Sequence, residues 1–256
     1  MKYLPSVVLA VATLIAPAAA AGTINIAAAA DLKFCMDDLV AAFKNAHAAA
    51  TVNVSYGSSG NFSTQIRQGA PFDLFFSADI QYPRDLARDG FSEGEPQRYA
   101  VGRIVLWSAS MDATKMTLAD LVRPDVRKIA IANPQHAPYG KRAQEALQAS
   151  HLWDKVDDKI VYGENIAQTA QFVQSGNAQV GIIALSLALN PDLAAKGGYY
   201  LIPDSLHRPL EQGFMVSKRA AANPLATAFA DYVRSAPARA IMVHYGFALS
   251  DQEIRR

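Results

Sequence analysis

Short apolar runs of strand type alternate with amphipathic stretches of helical spacing along nearly the whole chain. That alternation limits the fold more than any other feature. TINIAAAA (23–30) predicts a strand, and Leu32, Cys35, Met36, Leu39, Val40 and Phe43 then recur at helical spacing. TVNVSY (51–56) is alternating and β-branched, and GSSGNFSTQIRQG gives a Gly/Ser turn, a short helix and a stop at Gly69. FDLFFSA (72–78) is almost continuously apolar, as expected of a strand covered on both faces. The pattern then repeats, with strands at 102–108, 127–133, 158–163 and 178–186 separated by helices after Pro138 and after Asn165. Alternating βαβ units imply parallel sheets flanked by helices, an α/β class. Two batches of units with no linker between them imply two lobes.

The first 21 residues predict a secretory signal peptide. They hold Lys2, an apolar run broken by Pro17, and a small-residue exit ending at Ala21. No Cys stands at the cleavage point, so no lipid anchor is expected, and no later run has the length of a membrane span. The expectation is a soluble protein exported to the periplasm.

The chain carries 24 basic and 23 acidic residues; loss of Lys2 with the leader brings the two into balance. That argues against nucleic acid or an anionic membrane as the main partner. Cys35 is the only cysteine, so no disulfide framework is expected, and it falls on the apolar side of its helix as a core residue. The five histidines show no metal-ligand spacing, and no Ser nucleophile elbow, P-loop or dinucleotide fingerprint is present. Asp73 and Asp79 bracket a strand and are expected to cap turns; an exported hydrolase is a remote alternative.

Four strand-to-helix turns stand out: AAAADL (27–32), YGSSGN (56–61), NPQHAPYGKR (133–142) and YGENIAQ (162–168). Open α/β sheets bind ligands beyond the carboxyl ends of their strands, near helix N-termini. Each turn puts free backbone N–H groups at a helix start and is rich in small or capping residues that let a ligand approach. Converging helix starts hold an oxyanion without Lys or Arg, each offering about half a positive charge. Ser58 and Ser59 would add hydroxyl donors. Gly/Ser turns and caps also occur in any α/β protein, so the turns alone do not decide the matter.

These motifs carry a resemblance. AAAADL, SYGSSG with QIRQGAPFDLFFSAD (65–79), IANPQHAPYG followed by EAL, the GEN turn and the closing HYGF resemble the periplasmic molybdate-binding proteins of ABC transporters, over residues 23–247. The resemblance implies a two-lobed periplasmic-binding-protein fold of type II, each lobe a mainly parallel sheet flanked by helices, with the ligand cleft between them. Lobe 1 would comprise 22–101 plus 213–256, because the C-terminal helices return to it, and lobe 2 would comprise 102–212. It implies a monomeric receptor, not an enzyme, without cofactor, which hands molybdate or tungstate to an ABC permease of the inner membrane. The implied contacts fall on Asp31, Ser59 with Ser58 beside it, Tyr139, and the backbone of Ile166 beside Asn165. A tyrosine that some members use falls on Ala184 here, and Tyr139 would either replace its hydroxyl or cover the cleft mouth.

Asp31 departs from the pattern, which implies serine there. A carboxylate about 4 Å from a unit anion costs roughly 4 kcal/mol at an effective dielectric near 20, and a dianion more. Three arrangements relieve this. Asp31 caps its own helix; or it holds a proton shared with the ligand; or the ligand is not such an anion. The last has a concrete form, in which Asp31, Tyr139 and Glu164 ligate a hard cation such as ferric iron. Tyr199 and Tyr200 would suit the same chemistry, although paired tyrosines in a strand more often pack. Lys33 would offset the Asp31 charge only if it left its solvated face.

Overall fold

A computed structural model describes residues 22–249; the predicted signal peptide lies outside them. In chain order the elements are β1 (Thr23–Ala29), α1 (Lys33–Ala46), β2 (Thr51–Gly57), α2 (Ser59–Arg67), β3 (Leu74–Ser77), α3 (Gln81–Arg88), β4 (Ser92–Gly102), β5 (Ile104–Ser108), β6 (Ile129–Ala132), α4 (Pro138–Ala149), α5 (Trp153–Val156), β7 (Ile160–Gly163), α6 (Ile166–Gln174), β8 (Val180–Ala184), α7 (Leu185–Ala188), α8 (Pro191–Ala194), β9 (Gly198–Leu201), β10 (Leu210–Ser217), α9 (Pro224–Val233) and α10 (Ala236–His244). They form two five-stranded sheets, ordered β2-β1-β3-β10-β4 and β7-β6-β8-β5-β9.

Both sheets are built alike. Three strands pair in parallel, β2-β1-β3 in one and β7-β6-β8 in the other, and one reversed strand in each, β10 or β5, pairs antiparallel with both of its neighbours. The sheets are therefore mixed. β3 is buried throughout, as its unbroken apolar run requires, whereas the edge strand β2 alternates between exposed and half-buried residues. Leu32, Cys35, Met36, Leu39 and Phe43 form the buried stripe at the start of α1 and pack against Phe229 and Met242 of α9 and α10. The C-terminal helices thus close the core of the first sheet.

The chain crosses between the sheets at Arg103, between β4 and β5, and again in the stretch 202–209. A boundary at 212/213 is corrected by the pairing of Leu210, Glu211 and Gln212 with Gly102, Val101 and Ala100, which places all four residues 102 and 210–212 in the first sheet. Gly213 continues the strand, and its missing side chain has a packing reason: a Cβ there would sit 2.9 Å from Ile80 Cβ. β4 and α3 are not evident in the sequence. β4 carries Gly94 and Pro96, turn-like residues that an edge strand tolerates because its outer row of N–H groups is unpaired. In α3, Pro83 falls in the first turn, where no intrahelical bond is lost.

Candidate functional site

The carboxyl ends of the parallel strands of both sheets face each other, and the four turns named above meet there. β1 runs into a 3-10 turn, Ala30–Leu32, and then α1. β2 runs through Ser58 into α2, β6 through residues 133–137 into α4, and β7 through Asn165 into α6. One cavity, about 190 Å³ of empty space partly open to solvent, lies between them. It is lined by Ala29, Ala30, Asp31, Gly57, Ser58, Ser59, Ala78, Ala137, Pro138, Tyr139 and Ile166. All five residues expected at the site, Asp31, Ser58, Ser59, Tyr139 and Ile166, are on its wall, while Ala184 is not. The alanines keep the wall low where a larger side chain would fill the space.

The donors are arranged by local capping. Asn165 accepts from the N–H groups of Ala167 and Gln168, so its side chain leaves the Ile166 N–H untouched. α4 begins with Pro138 behind Ala137, which provides no side-chain cap, and Ser58 provides none for α2. First-turn N–H groups have no intrahelical acceptor and must find one elsewhere. Ser59 Oγ, fully buried, accepts from the Ala78 N–H at 3.0 Å, which leaves its own proton to donate. Ser58 Oγ lies 3.0 Å from His136 Nδ1. No Lys or Arg lines the cavity. The nearby Arg142 is buried but paired with Glu145 at 2.6 Å and Asp79 at 3.7 Å. Asp79 also accepts from the Gln81 N–H two residues on, as a turn cap does, whereas Asp73 caps no turn and instead accepts from the Asn25 N–H of β1 and lies 3.5 Å from Arg219.

Asp31 does not cap its own helix. Its side chain, 1% exposed, reaches across the cavity floor, where Oδ2 accepts from Tyr139 Oη at 3.0 Å and from Gln212 Nε2 at 2.7 Å. Burial pushes its carboxyl up to about 7, against the lowering effect of those two hydrogen bonds. Its carbonyl accepts from Ser186 Oγ at 2.7 Å. The Tyr139 hydroxyl is thus committed to Asp31, and burial with the adjacent carboxyl raises its pKa well above the usual phenol value.

The hard-cation arrangement is corrected on geometry. Glu164 turns away from the cavity; its half-exposed carboxylate accepts from Asn61 Nδ2 and lies 3.6 Å from His136 Nε2. Tyr139, held neutral and bonded to Asp31, is not poised as a tyrosinate. Tyr199 and Tyr200, on the edge strand β9, are partly buried against the second core. Among the described residues no group of three His, Cys, Asp or Glu side chains is placed to hold a metal ion.

Three contributors were not singled out from sequence. Gln212 is a fully buried amide in β10, Ser186 follows a buried strand, and His136 contributes its carbonyl and ring from the third turn. For Gln212 the only local sign is its position beside Gly213 in an otherwise buried segment.

Two α/β lobes joined by paired crossings, with a small buried cavity of helix starts between them, define a receptor that captures a solute. The chain belongs to the family of bacterial extracellular solute-binding proteins, whose model matches residues 24–248. It is 35% identical to the molybdate-binding protein ModA of Rhodobacter capsulatus, over 90% of this chain and 89% of that one. It is also 35% identical to ModA of Azotobacter vinelandii, over 93% and 94% of the two chains. The solved structure of the A. vinelandii periplasmic molybdate-binding protein superposes with a TM-score of 0.84 at 30% identity, covering 89% of this chain and all of that one. No helix among the described residues is long and apolar enough to cross a membrane.

Proposed function

We propose that the protein is the periplasmic receptor of an ABC importer for molybdate, with tungstate as an equivalent ligand. The observation that carries this reading is the convergence of four helix starts on one small, partly open cavity that no Lys or Arg lines. Backbone N–H groups at Ser59, Tyr139 and Ile166 and the Ser59 hydroxyl would surround the oxyanion, with Asp31 beneath it. The relatives named as molybdate-binding proteins support the choice of oxyanion. The same relatives, named for binding rather than for a reaction, support a binding role without a cofactor.

The lobes would close over the ion and present it, as a monomer, to a membrane permease. Contacts across the cleft support closure: the Gly60 N–H donates to the His136 carbonyl at 2.9 Å, and Asn61 donates to Glu164. Selection against sulfate would come from cavity size, since hydrogen-bond capacity is alike for the three oxyanions. Titration calorimetry with molybdate, tungstate, sulfate and ferric citrate on ligand-free protein tests the reading. Tight binding of molybdate and tungstate with weak sulfate is expected. Preference for ferric citrate, or no binding of any oxyanion, would overturn it.

A further inference from the structure

We propose that Asp31 serves the bound oxyanion as a hydrogen-bond donor, carrying a proton on Oδ1, so that each molybdate captured at alkaline pH draws one proton into the cleft with it. The inference rests on the oxyanion-receptor reading and concerns how that site handles charge.

The two oxygens of Asp31 are not equivalent. Oδ2 accepts two hydrogen bonds, from Gln212 Nε2 and Tyr139 Oη. Oδ1 is buried without any partner, on a residue that lines the cavity. In a carboxylic acid the oxygen that accepts two donors is the carbonyl, and the proton sits on the other. The Gln212 amide is placed consistently with this: Tyr99 Oη donates to its Oε1, and Nε2 faces Asp31 and Tyr139. Tyr99 is itself aimed by a bulge. Gln212 pairs with Ala100 and Gly213 with Arg98, leaving Tyr99 as the extra residue of β4. Three side chains from three elements therefore mark Oδ2 as acceptor and leave Oδ1 for the ligand.

The surroundings offer no counter-charge. The ionisable groups that face Asp31 are Cys35 from α1, Tyr99 from β4 and Tyr139 from α4. His136 stands behind Ser58, and among the described residues no Lys, Arg or His forms an ion pair with Asp31. An ionised Asp31 beneath a dianion would be repelled without relief. A protonated one is neutral and donates. The proton comes from solvent, adds to the carboxylate, and leaves again when the ligand does; no covalent bond to the ligand forms. With the carboxyl already pushed up to about 7 by burial, the nearby dianion raises it further. The free site is then mainly ionised at pH 8, the occupied site is not, and binding takes up the difference.

The test is molybdate calorimetry at about pH 8 in HEPES and in Tris, whose ionisation enthalpies differ, with the affinity followed from about pH 7 to about pH 9. The expected result is uptake of about one proton per molybdate and a Kd that weakens about tenfold per pH unit. Asp31→Asn and, as a second variant, Asp31→Ser lose both effects, and Asp31→Asn binds more tightly than the parent at pH 9. If the uptake persists in Asp31→Asn, the assignment to Asp31 is overturned. Tight parent binding with no buffer-dependent enthalpy and no pH slope overturns the proton while leaving the receptor. Tight binding of inorganic phosphate in place of molybdate, without uptake, overturns both, because a ligand with its own proton would need Asp31 ionised.

Discussion

The backbone of Gly60 and that of His136 touch across the cleft: the Gly60 N–H donates to the His136 carbonyl at 2.9 Å, and a Cβ on Gly60 would lie 2.7 Å from that oxygen and 2.9 Å from His136 Cα. No rotamer change relieves a clash with backbone. Gly60 lies in the first turn of α2, where alanine is the better helix former by up to about 1 kcal/mol. Gly60→Ala is therefore expected to leave the ligand-free melting temperature unchanged or raised and to weaken molybdate binding at least about tenfold, about 1.4 kcal/mol. Scanning fluorimetry with and without molybdate measures both. An unchanged Kd would show that the lobes do not approach this closely when loaded.

Ser59 does two things at once, accepting from the Ala78 N–H and keeping a proton for the ligand. Ser59→Ala strands a buried N–H at a cost of about 1–3 kcal/mol and removes one donor. Both a lower melting temperature and a molybdate Kd weakened about tenfold or more are expected. Ser59→Thr, which keeps the hydroxyl, should recover part of the binding if its extra methyl fits. Full affinity in the alanine variant would remove Ser59 from the ligand map.

Asp31 sets a pH dependence of stability even without ligand. Its folded-state carboxyl is raised from 3.8 to about 7, so the native state holds a proton that the unfolded chain releases. The associated stability is complete below the unfolded value and is lost as pH rises to about 7. Asp31→Asn, which cannot ionise, should match the parent near pH 4 and exceed it increasingly up to about pH 7, by at most about 4 kcal/mol. Opening of the empty cleft lets the carboxylate reach water and reduces the gap. Urea titrations across this range measure it; equal pH profiles for parent and variant would contradict the burial of this carboxyl.

Asn61 and Glu164 meet at the rim, where Asn61 is half-buried and Glu164 exposed. A hydrogen bond to an exposed carboxylate contributes little, about 1 kcal/mol or less. Asn61→Ala should speed molybdate release only about two- to fivefold in stopped-flow displacement. A much larger effect would make the rim, and not the cavity wall, the main determinant of residence time.

Much of the fold was legible because burial writes itself into periodicity. The continuous run of β3, the alternation of β2 and the apolar stripe of α1 each state how many faces are covered. The site was legible for a different reason. Four turns shared small and capping residues, and topology places such turns at one edge. What sequence could not show was direction within a turn. Glu164 and Ile166 are two residues apart, yet one faces the rim and the other the cavity. Nor could it show partners set by long-range pairing. Gln212 reaches Asp31, 181 positions away, only because β10 crosses back beside β4 and a bulge brings Tyr99 over it. β4 itself was hidden by Gly94 and Pro96, which suit its place at the sheet edge.

The two passages between the halves of the molecule do not stand apart. Leu210, where the chain re-enters the first sheet, is laddered to Gly102, where it leaves, and the Ile202 N–H donates to the Ile104 carbonyl just beyond. Two ribbons bonded side by side resist twisting far more than a single tether would, so the jaws share one bending axis. On the receptor reading proposed above, each closure would bring Gly60 to His136 and Tyr139 to Asp31 in the same registration. A receptor built this way would recognise its cargo by a repeatable fit and not by adapting to it, a wall of fixed backbone groups measuring the radius of an ion.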